Sequence, residues 1–488
     1  MLDGPGPVRR NRGPSADKTM NWSVDDILTA TGGSFIGGDP RQRFGGISID
    51  SRTITARDAF VAIQGEMHDG HTFIKDVLHR GVRGLIVHRG RVGDLQALLP
   101  PHGGIVAVAV ADTTRILGDL GAYHRRRSPA AVIAITGSNG KTSTRRMTAA
   151  IASRRFTVLE PARNLNNQIG VPLTLLQLEP RHQWAVLELG TNRPGEIARL
   201  SEICTPDIGV ITNIGPAHLE GLGSLEGVLR EKSALLAGLK AGGRAVLNAD
   251  DSRLRPLATE SGTEALLFGL AADAIVRADH IRETARGIAF ELLLAEHRTQ
   301  VLLQAFGRFM VHNALAAAAV GHALGLSPAD ICQGIEAFTP VYGRMHVTTL
   351  AGGIQLIDDT YNANPASMEG AIATLNHLRG SARSLLVLGD MRELGPTAGA
   401  LHQEVGRLAA RSGVFKLLVC GDFAEDVANG ARRGGLAAAD IVMGSQAEIQ
   451  AALLLELKAG DWVLVKGSRA MGMEALVQAV QEWSDRRK

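Results

Sequence analysis

The stretch Ala131 to Ser153, AVIAITGSNGKTSTRRMTAAIAS, constrains the fold more than any other. Val132 to Ile135 is an apolar, β-branched run that reads as a buried strand. The loop Thr136-Gly137-Ser138-Asn139-Gly140-Lys141-Thr142 follows, and then a helical run. Strand, glycine loop and helix together make the phosphate-cradling arrangement of a P-loop. The glycines let backbone N–H groups turn toward an anion, and the helix N-terminus adds its positive dipole end. Lys141 is placed to meet terminal phosphates, and the Thr142 hydroxyl to ligate Mg²⁺. Gly137 lies only three residues before Gly140, so the loop is shorter than the standard GxxxxGK[ST] form. The bland alternative is an ordinary βα turn that contains Gly-Lys-Thr.

A chain of 488 residues is too long for one core, and about three domains are expected. Residues 1–20 are rich in Pro, Gly and Arg and read as a disordered extension, with Met20 as an alternative start. Residues 21–111 read as a small α/β domain, 112–341 as a central P-loop ATPase-like domain with a parallel sheet, and 342–488 as a Rossmann-like domain. Glu264 to Phe306, with short strands and turns, reads as a β-rich insert in the central domain. The net charge of +3 gives nucleic-acid binding no support, and no apolar run is long enough to span a bilayer. Cys204, Cys332 and Cys420 are far apart and fit no metal or disulfide pattern, which points to a reducing, cytoplasmic setting.

Polar groups then cluster where α/β folds place ligand loops. In the first domain they are the turn Asp50-Ser51-Arg52-Thr53 and the loop GEMHDGH, with Thr72 expected to cap a helix that ends at Gly81. The run Asn164-Leu165-Asn166-Asn167 offers donors and acceptors together. Glu188 sits at the C-terminal end of the apolar strand WAVLEL, where a carboxylate beside a P-loop is the expected Mg²⁺ ligand or water holder. His218 also lies just past a strand, and metal or phosphate contact is the favoured role over a structural one. Lys232, in a helix from Leu225 to Leu239, reads on its own as a solvated lysine. Asn313 opens an Ala-rich helix, as a ligand contact or simply as a cap. In the last domain Asp358 to Pro365, Gly389 to Leu394 and Lys466 to Arg469 each follow a strand, and no GxGxxG accompanies them.

These motifs, in this order, resemble the Mur ligase family over nearly the whole chain after residue 21. NLNNQIGVPLTLL, IGPAHLEGLGSLEGV, DDTYNANPASM and LGDMRELG carry the resemblance. It implies a cytoplasmic, ATP-dependent, amide-forming ligase that joins D-alanyl-D-alanine to UDP-N-acetylmuramoyl-tripeptide through an acyl phosphate, acting as a monomer. It further implies that Thr136 to Thr142 hold the ATP phosphates. Thr142, Glu188 and His218 would hold Mg²⁺, with Lys232 carbamylated by CO₂ as a further ligand. Asn313 would contact adenine, Arg344 the phosphates and Asp359 the ribose. Ser51, Arg52, Asp69 and His71 would lie near the uridine nucleotide, and Asn166 and Asn167 would face the shared site. One departure stands out: many relatives carry a His-Asn pair where this chain has Phe309 and Met310. A ligase that adds the third, diamino residue would be expected to show a DNPR-type motif, and none is present. That ligase, a folylpolyglutamate synthetase, and a P-loop NTPase module with no acceptor substrate are the competing readings.

Overall fold

The computed structural model describes residues 21–65, 68–98, 104–161 and 164–487. The expected disordered extension, residues 1–20, and part of the GEMHDGH loop lie outside the described residues. The chain divides into two compact units. The first ends at Pro129 and takes in Leu176–Arg181, and the second comprises the remainder from Ala130.

The first unit holds a five-stranded sheet in the order Ser34–Gly37, Val106–Val110, Gly84–His88, Asp58–Val61, Gly46–Ser48. All its pairs are parallel except the first. Helix Thr113–Arg127 belongs to this compact unit, which runs to Pro129. The reason is packing: Ile116 and Leu120 bury against Trp22, Val106 and Val108. The cap in this unit also differs from expectation. Asp69, and not Thr72, accepts the first free N–H, from His71, and a 3₁₀ turn Gly70–Phe73 precedes helix Ile74–His79.

The second unit contains two sheets. The larger runs His297–Leu303, Gly287–Leu294, Val276–Thr284, Glu264–Gly269, Arg244–Asn248, Ile208–Ile211, Ala131–Thr136, Trp184–Glu188, Val158–Leu159. The P-loop strand Ala131–Thr136 lies between Ile208–Ile211 and Trp184–Glu188, parallel to both. After it the chain crosses to the far edge and returns, so the strand order reverses here. Ligands bind outside strand C-termini at such a switch point. The stretch read as an insert is an extension of this sheet. Glu264–Gly269 pairs in parallel with Arg244–Asn248, and the antiparallel strands continue from it. Phe268, Phe290 and Leu303 share one core with Ile133 and Met147.

The smaller sheet runs His346–Thr349, Gln355–Asp359, Trp462–Lys466, Ser384–Leu388, Lys416–Val419, Ile441–Met443. Its last strand in sequence, Trp462–Lys466, inserts between two earlier ones, parallel to both. Among the described residues no helix is long and apolar enough to cross a membrane.

If the antiparallel strands belong to the central core, Phe290→Ala should destabilise the whole second unit. The expected cost is about 3–5 kcal/mol, the usual range for a fully buried phenylalanine. Urea unfolding monitored at several probes would check this. A separate early transition confined to residues 276–303 would instead make the stretch an independent insert.

Candidate active site

The P-loop is shaped by its backbone before any ligand arrives. Gly137 and Gly140 have φ of 147° and 82°, a region that L side chains avoid. A Cβ on Gly137 would overlap Thr212 Oγ1, and one on Gly140 would overlap Asn313 Oδ1. The loop is held from below as well. Ser138 N–H donates to Asn213 O (2.9 Å), Asn139 N–H to Asn213 Oδ1 (2.9 Å), and Thr136 Oγ1 to Leu189 O (2.9 Å). Ser138 Oγ exchanges hydrogen bonds with the Gly215 backbone at 3.0 and 2.9 Å.

Lys141 folds back over this loop, with Nζ donating to Gly137 O at 2.8 Å and Ser138 O at 3.4 Å. Burial pushes its pKa down, the Glu188 carboxylate pulls it up, and Arg344 pushes it down again. The parallel register sets Glu188 opposite Ile135, one residue before the loop. There Glu188 accepts from Thr142 Oγ1 (2.7 Å) and Asn166 Nδ2 (2.9 Å), with Arg145 Nε 3.9 Å away. Asn167 instead caps the helix Gly170–Leu175 through Oδ1, which accepts from Ile169 and Gly170 N–H.

Lys232 is not the solvated lysine that its composition suggested. It is 1% exposed, and burial lowers its pKa well below the usual 10.5, with the charge of Lys141 adding to the shift and Glu231 opposing it. Glu231 has other work: it accepts from Thr191 Oγ1 (3.1 Å), Gly195 N (2.7 Å) and Ile197 N (2.8 Å).

The smaller sheet completes the site. Its strand ends bring Asp359 beside Lys466, directly paired in register, and Lys466 Nζ donates to Asp359 Oδ2 at 2.5 Å. Arg344 lies over the Tyr361 ring at 4.1 Å, with Arg469 at 5.8 Å. Asn364 caps helix Pro365–Arg379 and reaches Asn139 Oδ1 at 2.8 Å, while Asn164 hydrogen-bonds the Tyr361 hydroxyl. His218 and Glu393 both adopt left-handed backbone, at φ of 57° and 62°, and meet at 2.5 Å through Nδ1 and Oε2. The imidazole holds the Glu393 carboxyl below its usual range, against the effect of burial. Glu220 N–H also donates to Glu393 O at 3.0 Å. These groups surround one cavity of about 940 Å³, lined by Lys141, Asn166, Asn167, Glu188, His218, Asn313, Arg344 and Asp359 among others. Thr142 and Lys232 are buried and do not line it. Lys466, Glu393, Tyr361 and Asn364 were not singled out from the sequence, although each lies in a strand-end loop that was.

In the first unit, Ser51 and Arg52 line a cavity of about 410 Å³ with Phe73, Asp76, His79 and Arg80. The Arg52 guanidinium beside Asp50 holds that carboxyl down at about 2. Asp69 and His71 do not line it. Asp69 bonds His71 Nδ1 (2.6 Å) and Arg91 (2.8 Å), and His71 Nε2 accepts from His88 N–H (2.9 Å), so both shape the loop itself.

Comparison with known proteins places this geometry. Residues 43–120 match the Mur ligase family catalytic domain, 135–321 the Mur ligase middle domain, and 343–469 the Mur ligase glutamate ligase domain. The UDP-N-acetylmuramoyl-tripeptide–D-alanyl-D-alanine ligase of Escherichia coli is 36% identical, over 89% of this chain and 93% of its own. The chain belongs to the Mur ligase family. The Bacillus subtilis protein of the same name is 30% identical over 90% of this chain and 93% of its own. The crystal structure of MurF from Acinetobacter baumannii superposes with a TM-score of 0.86 at 34% identity, covering 95% of this chain and all of that one. MurF ligase from Thermotoga maritima, solved in complex with ADP, gives 0.79 at 26%, covering 91% and 98%. The three-domain α/β architecture is that of these ligases, and this chain is an ATP-dependent ligase.

Gly140→Ala would force a left-handed alanine, at a cost of roughly 1–2 kcal/mol, and displace Asn313. Calorimetry should find ADP affinity reduced by about tenfold or more; wild-type affinity would mean that the loop geometry is not what binds. Lys232→Met tests burial separately, in CO₂-free buffer. The folded-state pKa lies below 10.5, so the unfolded chain holds the extra proton between the two values. Stability therefore rises with pH through that window and is lost as pH falls through the folded pKa. Denaturation midpoints measured between about pH 7 and about pH 10 should slope less in Lys232→Met than in wild type, and equal slopes would count against a buried neutral amine.

Proposed function

We propose that the chain joins D-alanyl-D-alanine to UDP-N-acetylmuramoyl-tripeptide, and that the cavity between the strand ends of its two larger sheets is where this happens. The supporting observation is convergence. A P-loop lysine and a strand-end carboxylate from one sheet face Arg344, Asp359 and Lys466 from the other. A nucleotide switch needs no such second set of polar loops.

The chemistry follows from charge. The terminal carboxylate of the tripeptide attacks the γ-phosphorus of ATP, and the bond to the ADP oxygen breaks. Both reactants are anionic, and Lys141 and Arg344 offset their repulsion and that of the transferring phosphoryl group. The amine of D-alanyl-D-alanine then attacks the acyl carbon of the acyl phosphate, phosphate leaves, and the amine proton is lost. Asp359 is placed to hold the ribose, and Asn166 to face the tripeptide end. Asn167 acts through the helix it caps, and Asn313 through the P-loop glycine it touches. Asn364 and Tyr361 make contacts across the cavity to Asn139 and Asn164, and a site closed there would keep water from the acyl phosphate.

The residues also suit Mg²⁺. Mg²⁺ relies on phosphates and water plus one or two carboxylates. Thr142 and Glu188, already 2.7 Å apart, would hold it, with His218 and a carbamate on Lys232 serving a second ion. Bound there, Mg²⁺ would supply positive charge at the transferring phosphate. Carbamylation requires a neutral amine to attack CO₂ and lose a proton, and the buried Lys232 meets that requirement. The uridine nucleotide would take the cavity beside Ser51 and Arg52, with Asp69 and His71 supporting the adjoining loop. Three free, buried cysteines suit work in the cytoplasm.

Phosphate release with UDP-N-acetylmuramoyl-tripeptide should depend on D-alanyl-D-alanine, and its independence from the dipeptide would refute the assignment. Lys141→Ala should lose at least about a hundredfold in kcat. Lys232→Ala should lose most activity yet bind ADP, and a small carboxylic acid should partly restore the rate. Wild-type turnover by Lys232→Ala in CO₂-depleted buffer would remove the carbamate from the mechanism.

A further inference from the structure

The loop Gly389 to Leu394 brings Arg392 and Glu393 to the cavity, while Met391 and Leu394 bury in the core of the smaller sheet. Three consecutive residues tie it down. Asp390 accepts from Asp422 N–H (2.9 Å) and Phe423 N–H (3.1 Å) through its carboxylate, and from Ser468 N–H (2.9 Å) through its carbonyl. Arg392 N–H donates to Ser468 Oγ at 2.8 Å. Between them, Met391 N–H donates to His402 Nε2 at 2.9 Å. The outer ties end on oxygens, which accept throughout the neutral range. The middle tie ends on a nitrogen that accepts only while it carries no proton.

His402 stands on helix Ala398–Arg411, 1% exposed, with its ring stacked on Phe423 at 4.5 Å between centroids. Its Nδ1 lies 2.7 Å from Ala398 O, one turn back. A carbonyl only accepts, so Nδ1 carries the hydrogen. A backbone N–H only donates, so Nε2 carries none. One neutral tautomer satisfies both bonds, and a proton on Nε2 would set donor against donor at Met391. Burial lowers the pKa of the ring below the usual 6.5. The Ala398 carbonyl opposes this, as do Asp390 from the loop and Asp426 from helix Ala424–Arg433, while Arg392 adds to it.

We propose that His402 is a positioning residue for ligation: its neutral imidazole holds Met391 N–H and so seats Arg392 and Glu393 at the cavity. This rests on the reading that the cavity is where the reaction takes place. Glu393 gives the seat its consequence, because it meets His218 Nδ1, from the larger sheet, at 2.5 Å. His402 touches no substrate and acts only through the loop. A proton on Nε2 and a seated loop exclude each other. The ring of the released loop has the ordinary value of 6.5 and the seated ring a lower one. The seat is therefore intact above 6.5 and is lost as pH falls through the lower value.

The test uses the full chain. Hydrogen exchange of a peptide spanning 389–394, corrected for the intrinsic effect of pH, reports the seat, and a peptide from strand Ser384–Leu388 reports the core beneath it. Turnover is measured in parallel with ATP, UDP-N-acetylmuramoyl-tripeptide and D-alanyl-D-alanine. His402→Gln keeps an oxygen acceptor and an N–H donor but does not titrate; His402→Phe keeps a ring and loses the acceptor. At about pH 7.5 the Gln variant should retain loop protection, with kcat within about threefold of wild type. The Phe variant should exchange the loop about tenfold faster or more and lose about tenfold in kcat, with KM for ATP and strand protection unchanged. Between about pH 7.5 and about pH 5 the wild type should lose loop protection before strand protection, and the Gln variant should not. Wild-type loop protection in the Phe variant, an acid loss shared by the Gln variant, or a loosened loop with undiminished ligation overturns the proposal. If the Phe variant does not fold, the acid comparison of wild type with the Gln variant decides. Phosphate release that ignores the dipeptide would instead overturn the reading of the cavity, and exchange would still report the seat.

Discussion

A carboxylate at the end of a buried parallel strand is costly unless something answers it, and much of this structure is arranged to answer Glu188. The residue is 2% exposed at the point where the strand order reverses. Thr142 and Asn166 donate to it, and Arg145 lies near enough for attraction. Thr142 comes from the helix that begins at the P-loop, and Asn166 from the polar loop after the next strand. This buried charge therefore ties the start of the P-loop helix to the Asn166 loop. It also leaves oxygen donors gathered beside Lys141, which suits a phosphate and its cation.

The second sheet repeats this logic with opposite charges paired. Its parallel register puts Asp359 and Lys466 side by side, so each compensates the other's burial. The loop Gly389 to Leu394 is pinned at successive backbone positions: Met391 N–H to His402 Nε2, Arg392 N–H to Ser468 Oγ, and Glu220 N–H to Glu393 O. Glu393 meets His218 with both residues in a left-handed backbone that costs about 1–2 kcal/mol each. Strain of this kind persists where surrounding contacts over-determine it, and such places cluster at working sites. Here it joins loops that lie 175 residues apart in the chain.

Several residues that the sequence offered as ligand groups also have protein partners of their own. Asp69 and His71 brace their own loop, Asn167 caps a helix, and Asn313 packs on Gly140. Asp69 and Asn167 meet backbone N–H groups within three residues. Asn and Asp compete well for local N–H groups, and composition alone does not separate that use from ligand contact. Lys232 is the reverse case. Helix position suggests solvent, but the fold places that face inside, next to Lys141.

The sequence by itself determined the local chemistry: a strand, a glycine loop and a helix around Lys141, apolar strands with polar residues at their C-terminal ends, and motifs specific enough to indicate the family. These are legible because hydrophobic period and glycine placement act over a few residues. Only the tertiary structure decided which side chains meet. The extension of the central sheet through residue 303, the burial of Lys232 and the Glu393–His218 pair all depend on strand order and on contacts between distant segments. A ligand group acts through its partners, and those partners are set by packing, which no stretch of a few residues encodes alone.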